Sequence, residues 1–426
     1  MSRRRAMGDR GFWLRIGWRN LGRHRRRSVI TALALAWGFA AVVLFNGILE
    51  GMGSDFIRSG TDLMAGQIRI QNPDYEPEQE LWDVVGGEGG VQVSELLAQV
   101  RSDSDVIGAA PRVYGAGIIA SDSTSRGGVF MGILPGEEAG VTHFLEGVVD
   151  GSPPAEGAYE VLLGQELARQ LRIGVGEEVV LVAPAADGSL GNELFTVSGI
   201  VRTGIPEVDA AQAFLRLDDL QFLLALGPQE VHEVVLAVND PWAAPEVSRR
   251  LVASLSGSGS QIQVTPWTEF RPELVEFAGL ISGMNWVILV VIFLMAAFGV
   301  ANTMLMGTFE RRREFAVVKA LGMGPGRIVT MVVGEALVLG LLSVVAGALI
   351  SLPLVLWLIH YPLDLTPIAG EQMFMDGLFR FVLRVEHSWD IPIRAAVGLV
   401  LTATAASVYP ALRAVRVPAA EALAGR

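Results

Sequence analysis

The sequence predicts an α-helical membrane protein with four transmembrane helices and a large α+β extracytoplasmic domain inserted between spans 1 and 2. Three observations predict it. Four long apolar runs are almost free of ionisable groups. Charge is segregated by sign between the segments that join them. Residues 51–278, between the first two runs, show strand-like and helix-like periodicities in turn. The composition agrees: of 426 residues, 51% are hydrophobic and 18% charged, with a mean hydropathy of +0.43. An ordinary soluble chain is about 25% charged. The absence of Cys excludes disulfide scaffolds, thiolate zinc sites, Cys nucleophiles and lipidated Cys.

A helix needs about 20 apolar residues to cross a bilayer core. Residues 28–49 form a run of 22 without an ionisable side chain, followed by no small-x-small cleavage site, so we read an uncleaved anchor. Between Glu276 and Glu310 lie 33 uncharged residues. From Ala336 to Pro362 only His360 can titrate near neutral pH. The fourth run, 395–412, is 18 residues long and richer in Ala and Thr, which suits a helix packed against others. The resulting boundaries are a basic amphipathic segment 1–27, spans at 28–50, 279–307, 327–358 and 391–413, the outer domain 51–278, a short loop 308–326, an outer loop 359–390 and a tail 414–426.

Charge orients these spans. Residues 1–27 hold ten Arg against Asp9 alone, the loop after the second span is rich in Arg, and the chain beyond the fourth apolar run carries Arg413, Arg416 and Arg426 against Glu421. Residues 51–278 hold 34 acidic and 12 basic residues, a net of 12 − 34 = −22. Both termini and the loop 308–326 are therefore expected in the cytoplasm. Within 11–24, Arg15, Arg19 and Arg23 recur at four-residue spacing. Two readings stand for that stretch, an interfacial helix on anionic lipid and a plain topology signal.

In the outer domain, strands are expected at 66–71, 128–134, 177–184, 193–203, 231–238 and 261–267. Helices are expected at 94–101, 164–171, 218–226 and 245–255. Asp187–Gly188 suggests a hairpin turn, and 86–90 and 254–260 read as loops.

The chemistry is mostly exclusion. Lys319 is the sole Lys and follows Val318, so no phosphate-binding Gly-Lys-Ser/Thr is present and a standard ATPase site is excluded. The five His are scattered, no nucleophile elbow occurs, and we expect no catalytic residue and no metal site. Glu335 is an acid about two turns into the third span. Such acids are functional candidates by default, though at this depth pairing with a nearby Arg is the stronger reading.

The segment 302–327, NTMLMGTFERRREFAVVKALGMGPGR, runs from an apolar helix through a charged cluster into a short amphipathic helix. It reads either as a mechanical contact point for a cytoplasmic partner or as a charged loop that only sets topology.

Here a resemblance applies. The motifs WRNLGRHRRRS, ERRREFAVVKALG and YPALRAVRVPAAEAL, in the order one span, large outer domain, three spans, resemble the FtsX-like, MacB-type permeases of ABC transporters. GQIRIQNPDY and LLGQELARQLRIGVGEEVVLV are similar to the lipoprotein-releasing (Lol-type) branch. The resemblance implies a MacB-like periplasmic core of two lobes, the middle one near 112–215. It implies a coupling helix over 308–322, with Glu310, Arg311, Arg312, Arg313 and Glu314 at its charged start and Phe315, Val318 and Leu321 as its apolar face. It implies mechanotransmission in a bacterial inner membrane. The partners would be two copies of an ATPase that holds ATP–Mg, a second permease, lipoprotein or another amphiphile as cargo, and a periplasmic chaperone or adaptor, with no nucleic acid and no cofactor on this chain. An outer-leaflet cargo entrance is expected at Phe39, Phe45, Met284 and Ile288. The turn 184–194 is shorter than the Pro-containing hairpin by which chaperone-recruiting relatives dock their carrier. An efflux module and a transmitter of signals to a periplasmic hydrolase are the alternative roles.

Overall fold

The computed structural model describes residues 25–75, 79–87, 90–255, 262–365, 372–374, 377–379, 382–385 and 389–416. The segment 11–24, with its two readings of interfacial helix and plain topology signal, lies outside them, as does most of the expected loop 254–260. The chain divides into two compact units: Met1–Gly53, Gly279–Ile368 and Phe381–Arg426 form one, and Ser54–Ala278 with Ala369–Arg380 the other.

Among the described residues, four helices are long and apolar enough to cross a membrane. They are α1 (Arg25–Asp62), α6 (Pro272–Glu310), α8 (Pro325–His360) and α9 (Asp390–Val415). At 1.5 Å per residue, the 38 residues of α1 span about 57 Å. That exceeds the ~30 Å hydrocarbon core, so α1 continues well beyond its apolar run. The division between the units falls inside α1 and inside α6.

The membrane unit is held by a core of Leu35, Phe39 and Val42 from α1, Val300 and Met304 from α6, Ala336 and Leu339 from α8, and Ala395, Leu399 and Ala403 from α9. Glycines set the closest approaches. A Cβ on Gly340 would lie 3.4 Å from that of Ala403, and one on Gly347 would lie 2.7 Å from the Ala36 carbonyl oxygen. The small residues of the third and fourth spans thus serve contacts inside one chain, where bare helix backbones replace side chains.

In the outer unit, ten strands form one mixed sheet: β1 (Ile68–Gln71), β2 (Val106–Ala120), β3 (Ser125–Ile133), β4 (Val148–Gly151), β5 (Glu160–Gly164), β6 (Glu178–Pro184), β7 (Leu190–Val201), β8 (Gln212–Arg216), β9 (Glu233–Val238) and β10 (Gln263–Pro266). The order is β10-β1-β9-β2-β3-β8-β5-β7-β4, with β6 paired to β2 and β7. The 15-residue β2 joins the two ends of this sheet: its first half pairs with β9, its second with β3 and β6. The β6–β7 hairpin turns at Asp187–Gly188, where Gly188 has φ +82° and the Ser189 N–H donates to Asp187 Oδ1 at 2.9 Å. Helices α2 (Val93–Val100), α3 (Gln165–Leu171), α4 (Leu217–Leu223) and α5 (Ala244–Leu255) bury Leu96, Leu167, Leu220 and Leu251 in the core under the sheet. Strands β2, β4, β5 and β8 were not among the sequence expectations, and Ser254 and Leu255 close α5 rather than opening a loop.

Candidate functional site

The charged segment after the second span folds as α7 (Arg312–Ala320), nine residues long. Arg311, at φ −100° and ψ 15°, breaks α6 from α7. Gly322 stops α7: with φ +90° it returns its N–H to the Lys319 carbonyl at 3.0 Å, while Met323 N–H reaches Val318 at 3.2 Å. Pro325 then opens α8, where its missing N–H has no helical partner to lose.

One side of α7 faces its own bundle. Phe315 is 2% exposed and packs among Ile328, Met331 and Val332 of α8 and Ala411 and Ala414 of α9. The guanidinium of Arg311 meets Glu335 of α8 at 3.0 Å and Glu314 at 3.1 Å, and lies 5.3 Å from the Phe315 ring centre. Lys319 donates from Nζ to the Val415 carbonyl of α9 at 3.0 Å. The other side is open: Glu310, Arg312, Arg313, Glu314, Val317 and Leu321 are exposed. The structure therefore divides the residues that the sequence grouped as one apolar face. Phe315 is turned inward and is unavailable to a partner, Val318 is half-buried, and Leu321, 82% exposed, lies beyond the last helical residue. Glu335 takes the pairing reading. The exposure of Val317 and the Lys319–Val415 bond were missed, although a lone Lys at the end of an amphipathic helix is the kind of group that seeks a carbonyl at a helix C-terminus.

Of the four residues expected at a cargo entrance, Phe45 and Met284 are exposed and Ile288 is half-buried. Phe39 is a correction: it is buried in the bundle against Gly347, because α8 offers bare backbone there.

The outer unit holds a buried polar cluster that sequence reasoning did not find. Arg112 on β2 donates to both Glu138 oxygens and to Glu233 on β9 at 3.4 Å; Tyr114 donates to the same Glu233. Thr142 donates to Glu138 at 2.5 Å, and Arg69 on β1 lies 3.6 Å from Glu233. Burial opposes the Arg112 charge, yet Glu138, Tyr114 and Glu233 hold its pKa well above the ordinary value. Burial and then the Glu233 charge push the Tyr114 phenol up. His232 accepts the Tyr114 backbone N–H at Nδ1, 2.8 Å, and sets Nε2 3.1 Å from the Leu81 carbonyl. A carbonyl there requires the neutral Nε2–H tautomer, and burial lowers the His232 pKa accordingly. Each charge is matched, and the cluster pins β1, β2 and β9 together.

Two family models together match most of the chain. The MacB-like periplasmic core domain model matches residues 28–254, and the FtsX-like permease C-terminal model matches 286–419. The lipoprotein-releasing system transmembrane protein LolC of Neisseria meningitidis serogroup B is 25% identical over 409 residues, covering 93% of each chain. That of Xylella fastidiosa is 28% identical over 345 residues, covering 77% of this chain and 80% of the relative. Among solved structures, the periplasmic region of MacB from Actinobacillus actinomycetemcomitans is similar with a TM-score of 0.35 at 12% identity, covering 51% of this chain and 95% of that one.

Proposed function

This chain belongs to the family of FtsX-like permeases with a MacB-like periplasmic core, and on that premise we propose that it works by mechanotransmission, passing ATP-driven movement of a cytoplasmic ATPase to its periplasmic domain. It is a permease subunit of an ABC transporter and a multi-pass membrane protein. The ATPase is a separate chain, binds ATP–Mg, and docks on α7. A second permease completes the dimer, and both termini lie in the cytoplasm of an inner-membrane protein.

The observation that carries this reading is the two-sidedness of α7. Its inner side is fixed to α8 and α9 through Phe315, while its outer side presents Arg312, Arg313 and Val317, with Leu321 exposed just past its end. A helix that receives force needs both an anchored face and a contact face.

The cargo we propose is lipoprotein, released from the inner membrane. Two relatives that cover most of this chain carry that role in their names. Phe45, Met284 and Ile288 are the entrance residues that remain on this reading. Native purification of the chain, with mass spectrometry of its proteins and lipids, tests the whole. An ATPase, a second permease and acylated lipoprotein are the expected companions. An ATPase with a periplasmic adaptor or hydrolase and no lipoprotein would overturn the cargo assignment in favour of efflux or signalling.

A further inference from the structure

We propose that α7 is fastened at both ends, to α8 by Arg311–Glu335 and to α9 by Lys319–Val415, so that force on α7 moves the third and fourth spans as one body. Glu335 and Lys319 are then positioning residues for the transmission step. The inference rests on the reading of α7 as the ATPase contact and names what that contact moves.

The geometry carries it. Nine residues make α7 about 14 Å long, and its attachments are spread over that length. Arg311, directly before its first turn, meets Glu335 at 3.0 Å, with the two side chains 13% and 14% exposed. Phe315, at the middle, fills the angle between α8 and α9. Lys319, in its last turn, donates to the Val415 carbonyl at 3.0 Å. An apolar plug alone would let α7 rock about Phe315. A directional bond on each side of the plug removes that rocking. The two spans that α7 grips are themselves packed closely, a Cβ on Gly340 reaching within 3.4 Å of that on Ala403. The first fastening is also the stronger kind, since a charge-assisted bond from Arg to a carboxylate exceeds a neutral one.

The chain has no Cys, so labels at introduced Cys are unique. Spin labels at the exposed positions Val317 on α7 and Leu341 on α8 report the first fastening; labels at Val317 and Val408 on α9 report the second. The full chain is measured in lipid nanodiscs, with and without its co-purified ATPase and ATP. The expected result is a single narrow 317–341 distance that ATP does not change. Glu335→Gln should raise the detached fraction about tenfold, the change that loss of one charged hydrogen bond brings. The exchange Arg311→Glu with Glu335→Arg should restore the narrow distance. Lys319→Met should broaden 317–408 and leave 317–341 narrow. A 317–341 distance in Glu335→Gln as narrow as in the parent, or no recovery in the exchange variant, would overturn the proposal. Co-purification of the ATPase, scored on the same samples, tests the underlying reading separately, because the distances are also measured without ATPase.

Discussion

Arg112 and Glu138 face each other inside the outer unit through two hydrogen bonds, Nε to Oε2 at 3.1 Å and Nη2 to Oε1 at 2.6 Å, with side chains 2% and 0% exposed. The pair closes a loop between β2 and the helix Pro135–Glu138. Both charges have left water, and their attraction offsets that loss only while both are present.

Removing one partner is therefore expected to cost more than removing both. Glu138→Ala leaves the Arg112 guanidinium buried beside Glu233 alone, and we expect a loss of about 3–5 kcal/mol. Arg112→Leu with Glu138→Leu strands neither of the two charges and should cost distinctly less. Denaturant unfolding of the full chain in detergent measures both. A double variant less stable than the single one would show that the pair stabilises the fold beyond charge matching.

Asp219, in the first turn of α4, has the opposite problem. It is buried, and among the described residues its Oδ2 meets no hydrogen-bond partner. Burial, and then the charge of Asp218, raise its pKa from 3.8 to about 6, against the pull of Arg216. A folded-state pKa above the unfolded one gives stability that is complete below pH 3.8 and lost as pH rises through about 6. Asp219→Asn should then be more stable than the parent at pH 8, on the order of 2 kcal/mol, and equal to it near pH 3. A gain that does not change with pH would assign the effect to packing or to the helix terminus.

The spans were legible because a bilayer demands long uncharged runs, and few other structures do. The Asp187–Gly188 turn was legible because it needs a residue that accepts positive φ. Strand β2 was not, and its composition explains why. It contains Gly108, Ala109, Ala110, Gly115 and Gly117, which strand propensity disfavours. Its neighbours require them: a Cβ on Gly117 would lie 2.0 Å from the Val182 carbonyl oxygen, and one on Gly108 would lie 2.1 Å from that of Gly140. Close approach, a tertiary fact, selected residues that look like loop. The site divides in the same way. Its charged cluster and short helix were readable, but the division of the apolar face that the resemblance implied, Phe315, Val318 and Leu321, was not, because an apolar residue reads the same whether it packs on α8 and α9 or faces outward. Phe39 shows the remaining limit, since an apolar side chain in a span has the same sequence signature whether it faces lipid or another helix.

Close approach in the membrane unit can be tested at Gly347. A Cβ there would meet the Ala36 carbonyl oxygen and Phe39 Cδ1, each at 2.7 Å. The first is backbone and cannot step aside. Gly347→Ala should destabilise by about 1–3 kcal/mol through overpacking, although Ala is the better helix former by ~1 kcal/mol. Gly283 in α6 has nothing within 4 Å, so Gly283→Ala should be neutral or slightly stabilising. Thermal unfolding in detergent compares them. Equal effects at the two positions would mean that α1 and α8 separate freely at this contact.

The two sides of α7 make opposite predictions for ATPase docking. Arg312 and Arg313 are exposed, whereas Arg311 is held by Glu314 and Glu335. Reversing all three charges would mix docking with bundle integrity, so the informative variant is Arg312→Glu with Arg313→Glu. It should lower ATPase co-purification about tenfold, since reversed charges at the proposed docking rim would repel a partner that the two Arg attract, and leave the stability of the chain unchanged. Orientation should survive, because ten Arg remain in residues 1–27; protease protection of the outer domain checks it. Phe315→Asp buries a carboxylate among Ile328, Met331, Val332, Ala411 and Ala414. That substitution should reduce stability and ATPase binding together, because an unpaired charge in an apolar site either unfolds its surroundings or drags the helix outward. If Phe315→Asp instead abolished binding at full stability, Phe315 would belong to the contact face, and the inward packing described above would not be the state that meets the ATPase.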